Sequence, residues 1–267
     1  MINRILFILW LIGTSYSSLA TPQTPDRLVI EGDTFLLYSH PLEFLPEKSR
    51  QVRTIFSFIH TACWRGYIGY WQLSDQKLYL TGLVSCSFER KDTLSLATLF
   101  GDQSKDGKVA ADWFSGELVC ANGQLIRYFD DQSIYQFETV YGCSQGRVTG
   151  KETFDNRKTT VSRYETEPEE LRRFIYSHID WKTLPVLPAD STVRVFVKII
   201  GNASGSSPKA AVIKSAGAVW DNEAIRVIAM LPSWSANYRR GKFWPFAWNM
   251  PVLFSKANRL RYGQKSN

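Results

Sequence analysis

Two carboxylates, Asp112 and Glu117, are the pair of residues that glycoside hydrolysis could use, with one as acid and the other as base or nucleophile. On a single strand, residues five apart point to opposite faces, because side chains alternate along a strand. A bend at Gly116 would be needed to bring the two groups together. We therefore interpret them as ordinary strand carboxylates and expect no catalytic residues. Two alternatives stay open: a carbohydrate-active hydrolase in this part of the chain, or a purely structural surface protein held by disulfides.

The histidines and serines do not form a metal-binding or nucleophilic pattern. His40, His60 and His178 lie far apart in the sequence, and His60 with Cys63 would supply two ligands where zinc needs three or four. A serine nucleophile usually lies in Gly-x-Ser-x-Gly, and the segment 201–205 lacks that spacing. We therefore expect no metal, no cofactor and no enzyme activity.

Four cysteines are candidates for disulfide bonds: Cys63, Cys86, Cys120 and Cys143. Their spacings are wide and contain no Cys-x-x-Cys, so zinc or thioredoxin-type chemistry has no support. In an oxidising compartment they could form up to two disulfides, with three possible pairings. Four buried free thiols are the alternative. Any disulfide would stabilise only the first half of the chain.

The first twenty residues have the three-part pattern of a secretory signal peptide. A short basic start containing Arg4 precedes an uncharged apolar run from Ile5 to Ile12, and Ser18 and Ala20 supply the small residues of a cleavage site. The apolar run is shorter than the ~20 residues that a membrane span needs. We expect cleavage after Ala20 and a periplasmic or otherwise exported protein, with an uncleaved anchor as the alternative.

The positive charge is concentrated at the carboxyl end. The chain has a net charge of +7, yet no acidic residue follows Glu223, whereas eight basic residues do. A basic segment attracts nucleic acid, anionic lipid or an acidic protein surface. Export argues against nucleic acid, so we expect a protein partner, with a solvated basic face as the alternative.

Residues 21–164 are expected to form a mostly antiparallel β domain, either a meander or a partly open barrel. Short apolar strands alternate with turn residues at Ser74–Gln76, at Asn122-Gly123 and at Gly146, and Asn-Gly is a strong tight-turn signal. One helix is expected between Glu47 and His60, where apolar residues recur at steps of three and four. The fold class is therefore α+β.

Residues 165–256 predict a second domain with the order helix, strand, strand, helix, strand. Val193, Val195, Val197 and Ile199 alternate as on a strand, and a last strand is expected within 243–254. Residues 257–267 are interpreted as a basic tail.

This order and its residues resemble the C-terminal domain of the TonB energy-transducer family, over about 169–255. The matching motifs are Val195-Phe196-Val197, Val212-Ile213-Lys214-Ser215-Ala216-Gly217, Asp221-Asn222-Glu223-Ala224, Met230-Leu231-Pro232-Ser233-Trp234, Arg240-Gly241-Lys242 and Met250-Pro251-Val252-Leu253-Phe254. Transducers of the family also carry a membrane anchor and a Pro-rich spacer, where this chain has a β-rich domain. That domain, through 61–67 and 111–118, is similar to uncharacterised bacterial proteins and implies no activity.

The resemblance implies a module that recruits an extended segment of an outer-membrane or periplasmic protein by β-strand addition, linked to transmembrane transport. Membrane association would then be indirect. The expected contact residues are Arg239, Arg240, Lys242, Phe243, Trp244, Phe246, Trp248, Pro251 and Phe254. The basic residues would steer an acidic partner, and the aromatic, Pro-containing strand would supply the contact edge.

Overall fold

The computed structural model describes residues 23–57, 59–87, 92–130 and 132–263, so the expected signal peptide at 1–20 lies outside the described residues. Within these ranges the chain is α+β, with six α-helices and fifteen strands. None of the described helices is both long and apolar enough to cross a membrane.

The first half contains ten strands and two helices. The strands are β1 (Asp26–Ile30), β2 (Asp33–Leu37), β3 (Tyr67–Ser74), β4 (Lys77–Ser85), β5 (Thr93–Leu94), β6 (Ser104–Lys105), β7 (Lys108–Ala110), β8 (Gly116–Arg127), β9 (Ile134–Ser144) and β10 (Arg147–Asp155). The helices are α1 (Pro46–Phe56) and α2 (Leu96–Phe100), with 3-10 turns at Pro41–Phe44 and Gly101–Gln103.

These strands form one mixed sheet in the order β10-β9-β8-β2-β1-β3-β4-β7-β6, with β5 also paired to β4. A single residue pair, Arg147 with Lys77, joins β10 back to β4, so the seven strands from β10 to β4 close into a ring. The pairs are antiparallel except β1 with β3, which is parallel. The predicted hairpins β3–β4 and β9–β10 are confirmed. Leu28, Trp71 and Leu118 are fully buried in the core of this half.

The expected tight turn at Asn122-Gly123 is wrong. Both residues lie inside the long strand β8, where the register against β9 shifts between Asn122 and Leu125. Gly123 has a φ of +77°, so the positive φ that predicted a turn instead serves a β-bulge. The chain continues along β9 because cross-strand pairing on both sides of the bulge outweighs the local turn preference.

The second half contains the remaining elements. They are α3 (Arg163–Thr166), α4 (Pro168–His178), β11 (Thr192–Ile200), β12 (Lys209–Lys214), α5 (Ala218–Ala229), β13 (Tyr238–Arg239), β14 (Lys242–Phe243), β15 (Ala247–Ser255) and α6 (Lys256–Tyr262). The predicted order from α4 through β15 is found, with the short pair β13–β14 added before the last strand. The segment interpreted as a basic tail differs, because 256–262 is helical and Tyr262 packs against Tyr176.

A three-stranded antiparallel sheet, in the order β12-β11-β15, forms the centre of the second half. Val195, Val197 and Ile199 point from β11 towards helices α4 and α5 and are fully buried. Burial of each such side chain contributes about 1.5–3 kcal/mol. This face of the sheet is therefore the core of the second half.

One of the three possible cysteine pairings is present. Cys63 is bonded to Cys86, and Cys120 and Cys143 are buried free thiols. Cys143 on β9 lies opposite Gly116, and Gly116 is four residues before Cys120 on β8. The Cα atoms of Cys120 and Cys143 are therefore separated by roughly 13 Å or more. A disulfide requires Cα atoms within about 7 Å, so a second bond would need a different strand register.

The two free thiols are expected to be unreactive in the folded protein. Burial raises the pKa of the Cys120 thiol to about 12 and that of the Cys143 thiol to about 11. At pH 8 both stay protonated, so we expect iodoacetamide to label neither until the chain is denatured, when two thiols per chain react. In the unfolded chain a thiol has a pKa of ~8.5, so above that pH deprotonation favours the unfolded state. The two buried thiols therefore leave the free energy of unfolding unchanged below that pH and lower it as the pH rises towards 11–12.

Rapid labelling of the native protein at pH 8 would contradict this assignment. Cys63 and Cys86 are the internal control, because they should react only after both denaturation and reduction.

Candidate partner-binding edge and interdomain cleft

The hairpin β13–β14 joins the second half of the chain to the first. Its turn residues, Arg240 and Gly241, have φ of 52° and 70°, which suits a two-residue hairpin turn. The Arg240 guanidinium lies 2.8 Å from the Glu117 carboxylate on β8, and its backbone N–H donates to the Asn156 side chain at 2.9 Å. The expectation that Arg240 steers an external partner therefore needs revision, because Glu117 already neutralises much of its charge.

Arg239 has a similar internal partner. Its guanidinium lies 3.7 Å from the Glu138 carboxylate on β9, which is almost completely buried. Arg240 contributes a second, longer contact to the same carboxylate at 3.8 Å. Of the three expected steering cations, Lys242 is exposed and makes no ion pair with any described residue.

Trp244 and Phe246 form an aromatic cluster with Phe129 of the first half. Their ring centroids lie 5.0 Å and 4.9 Å from that of Phe129. The Arg127 guanidinium covers both Phe129 and Phe246, at 4.9 Å and 5.6 Å from the ring centroids, and it also pairs with Glu165. These rings therefore hold the two halves together.

A cleft of about 670 Å³ lies between this hairpin and strand β10. Five of the nine expected contact residues line it, together with three residues of the first half. The lining residues are Arg239, Arg240, Lys242, Phe243, Trp244, Gln132, Glu152 and Phe154. Aromatic walls with cations and one carboxylate at the rim can hold a polar, partly apolar chain segment.

The last strand supplies three more of the expected contact residues, and the structure divides them between two sides. Phe254 is fully buried in the core, and Trp248 packs against Trp234 with ring centroids 6.0 Å apart. Phe254 is therefore a core residue, whereas Trp248 packs against the core and stays partly exposed. Pro251 is exposed on the opposite face.

The outer edge of β15, meaning the backbone groups that point away from β11, is only partly available. The Leu253 N–H donates to the Tyr176 hydroxyl at 3.2 Å, and its carbonyl accepts from the Asn258 side chain at 2.9 Å. Backbone groups alternate along a strand, so Ala247, Asn249 and Pro251 also point outward. Pro251 has no N–H. The open stretch of edge is therefore 247–249.

The other sequence candidates lie apart from this site and from one another. Asp112 pairs with Lys77 at 3.1 Å, whereas Glu117 pairs with Arg240, so each carboxylate is held by a different cation. His178 stacks on Phe174 with centroids 4.1 Å apart, and the His60 ring accepts from the Ala62 N–H. In the described residues, His, Cys, Asp and Glu form no cluster of three or more suited to a metal.

A buried polar network in the first half escaped the sequence analysis. Asp26 is fully buried, accepts from the Gly69 N–H at 3.0 Å and the Trp71 indole at 2.9 Å, and lies 3.5 Å from the fully buried Arg65 guanidinium. Arg65 also donates to the Thr24 carbonyl at 2.7 Å. No local pattern marks Asp26 as internal, because its partners come from a distant strand.

Glu43 and Tyr67 extend this network. The Tyr67 hydroxyl donates to the Glu43 carboxylate at 2.6 Å, and burial together with this bond raises the pKa of Tyr67. The phenol therefore stays protonated and serves as a hydrogen-bond donor, which is a structural role.

Comparison with known proteins gave no match to any family model, curated protein or solved structure.

Proposed function

We propose that this protein is an exported, non-catalytic binding module that recruits an extended segment of an envelope protein as an added strand on β15. The proposal builds on the resemblance of 169–255 to the TonB C-terminal domain, and on one geometric observation. That observation is the outer edge of β15, which ends the sheet and leaves the backbone groups of Ala247 and Asn249 without a hydrogen-bond partner in the described residues. Unpaired strand edges are the usual template for strand addition.

The position of the open edge defines how a partner would lie. Pairing cannot extend past Pro251, which lacks a donor, or onto Leu253, whose backbone groups are already bonded. A partner strand is therefore restricted to the first part of β15. Trp244 and Phe243, which line the cleft, come just before this stretch, so a longer segment would continue into the cleft.

The charges of the cleft favour a weakly acidic segment. Lys242 is the cation available to it, since Arg239 and Arg240 are paired with Glu138 and Glu117. Glu152 at the same cleft would repel a second carboxylate placed next to it. Backbone pairing would thus supply most of the affinity and Lys242 a modest preference.

Replacing Asn249 with proline should abolish partner capture without unfolding the protein. The Asn249 N–H points away from β11, so its loss removes an edge donor and no bond of the β11–β15 ladder. We expect the variant to recover little or no partner from an envelope fraction, while its thermal melting curve stays close to that of the wild type. Hydrogen exchange should show the Ala247 and Asn249 amides slowed by the captured partner in the wild type.

Two further variants, one that removes a proline and one that adds a proline, distinguish loss of edge pairing from destabilisation of the fold. Replacing Pro251 with alanine adds an outward N–H and should strengthen capture. Replacing Met250 with proline removes an N–H that faces β11 and should instead destabilise the fold. Capture that is equal in wild type, Asn249→Pro and Pro251→Ala would rule out strand addition on β15.

A further inference from the structure

The face of the second-half sheet that points away from α4 and α5 can be reconstructed from the strand registers. Because Val195, Val197 and Ile199 point into the core, the alternating residues of β11 point outward. These are Arg194, Phe196, Lys198 and Ile200. Arg194 and Lys198 are exposed, and Phe196 and Ile200 are half-buried.

The neighbouring strands add two more cations to this face. Lys214 lies directly opposite Phe196, with its ammonium 5.9 Å from the ring centroid, and Lys209 lies opposite Ile200. On the other side, β15 contributes Pro251 and Leu253, which lie opposite Phe196 and Arg194. The outward face of β12–β11–β15 therefore carries four cations with apolar side chains between them, and no carboxylate.

These four cations have no carboxylate partner among the described residues, unlike several basic residues on the helices. Arg172, Arg173 and Arg226 pair with glutamates three residues earlier on their own helices, whereas no described residue forms an ion pair with Arg194, Lys198, Lys209 or Lys214. Asp221 and Glu223 lie on α5, across the sheet, and both are already hydrogen-bonded. The outward face therefore presents an uncompensated positive potential.

The shape of the face restricts what it can bind. Strands lie about 4.8 Å apart and residues about 3.3 Å apart along them, so the four cations spread over a patch roughly 20 Å long. A broad, acid-free patch with the half-buried Phe196 ring between the cations complements an extended array of negative charges above an apolar layer.

We propose that this face docks on a membrane that contains anionic phospholipids, with Arg194, Lys198, Lys209 and Lys214 binding lipid phosphates. Charge complementarity selects this occupant, and Phe196 would reach the headgroup boundary. The inference goes beyond recruitment of a protein segment and does not depend on it. Each basic side chain near an anionic bilayer raises binding about fivefold, and salt weakens the attraction.

The test is co-sedimentation of the purified chain with vesicles. We expect binding to vesicles of equal parts phosphatidylglycerol and phosphatidylcholine, loss of binding at high salt, and little binding to phosphatidylcholine alone. Replacing Lys198 and Lys214 together with glutamine should weaken binding about 25-fold, since two charges are removed. A second variant, Arg194→Gln with Lys209→Gln, should weaken it by a similar factor.

The matched control replaces two exposed lysines that lie off this face, Lys158 and Lys182, with glutamine. It removes the same net charge, so unchanged binding would assign the effect to the sheet face, and an equal loss would overturn the proposal. Equal binding to neutral vesicles would also overturn it. So would binding of a fluorescent single-stranded oligonucleotide by a chain that leaves anionic vesicles unbound.

Discussion

Replacing Asp26 with alanine is expected to lower the free energy of unfolding by about 3–5 kcal/mol, because it leaves the buried guanidinium of Arg65 without its counter-charge. Both side chains are fully buried, so water cannot take the place of the lost carboxylate. The change also removes the acceptor for the Gly69 N–H and the Trp71 indole. Urea unfolding followed by tryptophan fluorescence would measure the effect.

Companion variants test the electrostatic cause. Asp26→Asn preserves the size of the side chain but removes its charge, so it should be nearly as destabilising as alanine. Asp26→Ala combined with Arg65→Met should be more stable than Asp26→Ala alone, because no unpaired charge is then buried. A loss below about 1 kcal/mol for Asp26→Ala would show that the guanidinium finds another partner or reaches solvent.

Removing the Cys63–Cys86 disulfide by a double serine substitution should cost about 3 kcal/mol. The two cysteines are 23 residues apart, and closing a loop of this length removes that much chain entropy from the unfolded state. The bond links Cys63, just before β3, to Cys86, just after β4. Both lie next to the Asp26–Arg65 pair. Thermal unfolding with and without reductant would measure the loss.

The reductant provides the control. The wild-type melting temperature should fall when reductant is added, whereas that of the Cys63→Ser, Cys86→Ser variant should not change further. If the wild type were equally stable under both conditions, the disulfide would contribute nothing to the folded state.

Local signals predicted local structure well. The hairpins β3–β4 and β9–β10 have their turns where polar and Gly residues interrupt apolar strands, and the backbone of Asp75, Gln76 and Gly146 adopts positive φ there. The alternation of Val193 to Ile199 likewise predicted both strand β11 and its buried face. These patterns succeed because a single segment contains all the information that they need.

The contacts between distant segments could not be predicted. Arg240 pairs with Glu117, and Trp244 packs on Phe129, only because the hairpin β13–β14 folds back onto the first half. From the sequence alone, these arginines and tryptophans could contact another protein as well as the first half of this chain. The bulge at Gly123 shows the same limit, since its strand continues only because β9 lies alongside.

Pro251 has a consequence for how molecules of this protein behave at high concentration. An edge strand with a full row of donors can template a second copy, then a third, and grow into a cross-β fibre. A proline in the middle of the edge, followed by backbone groups already capped by Tyr176 and Asn258, leaves too short a stretch for such growth. Pro251 therefore limits aggregation of the chain with itself through this edge.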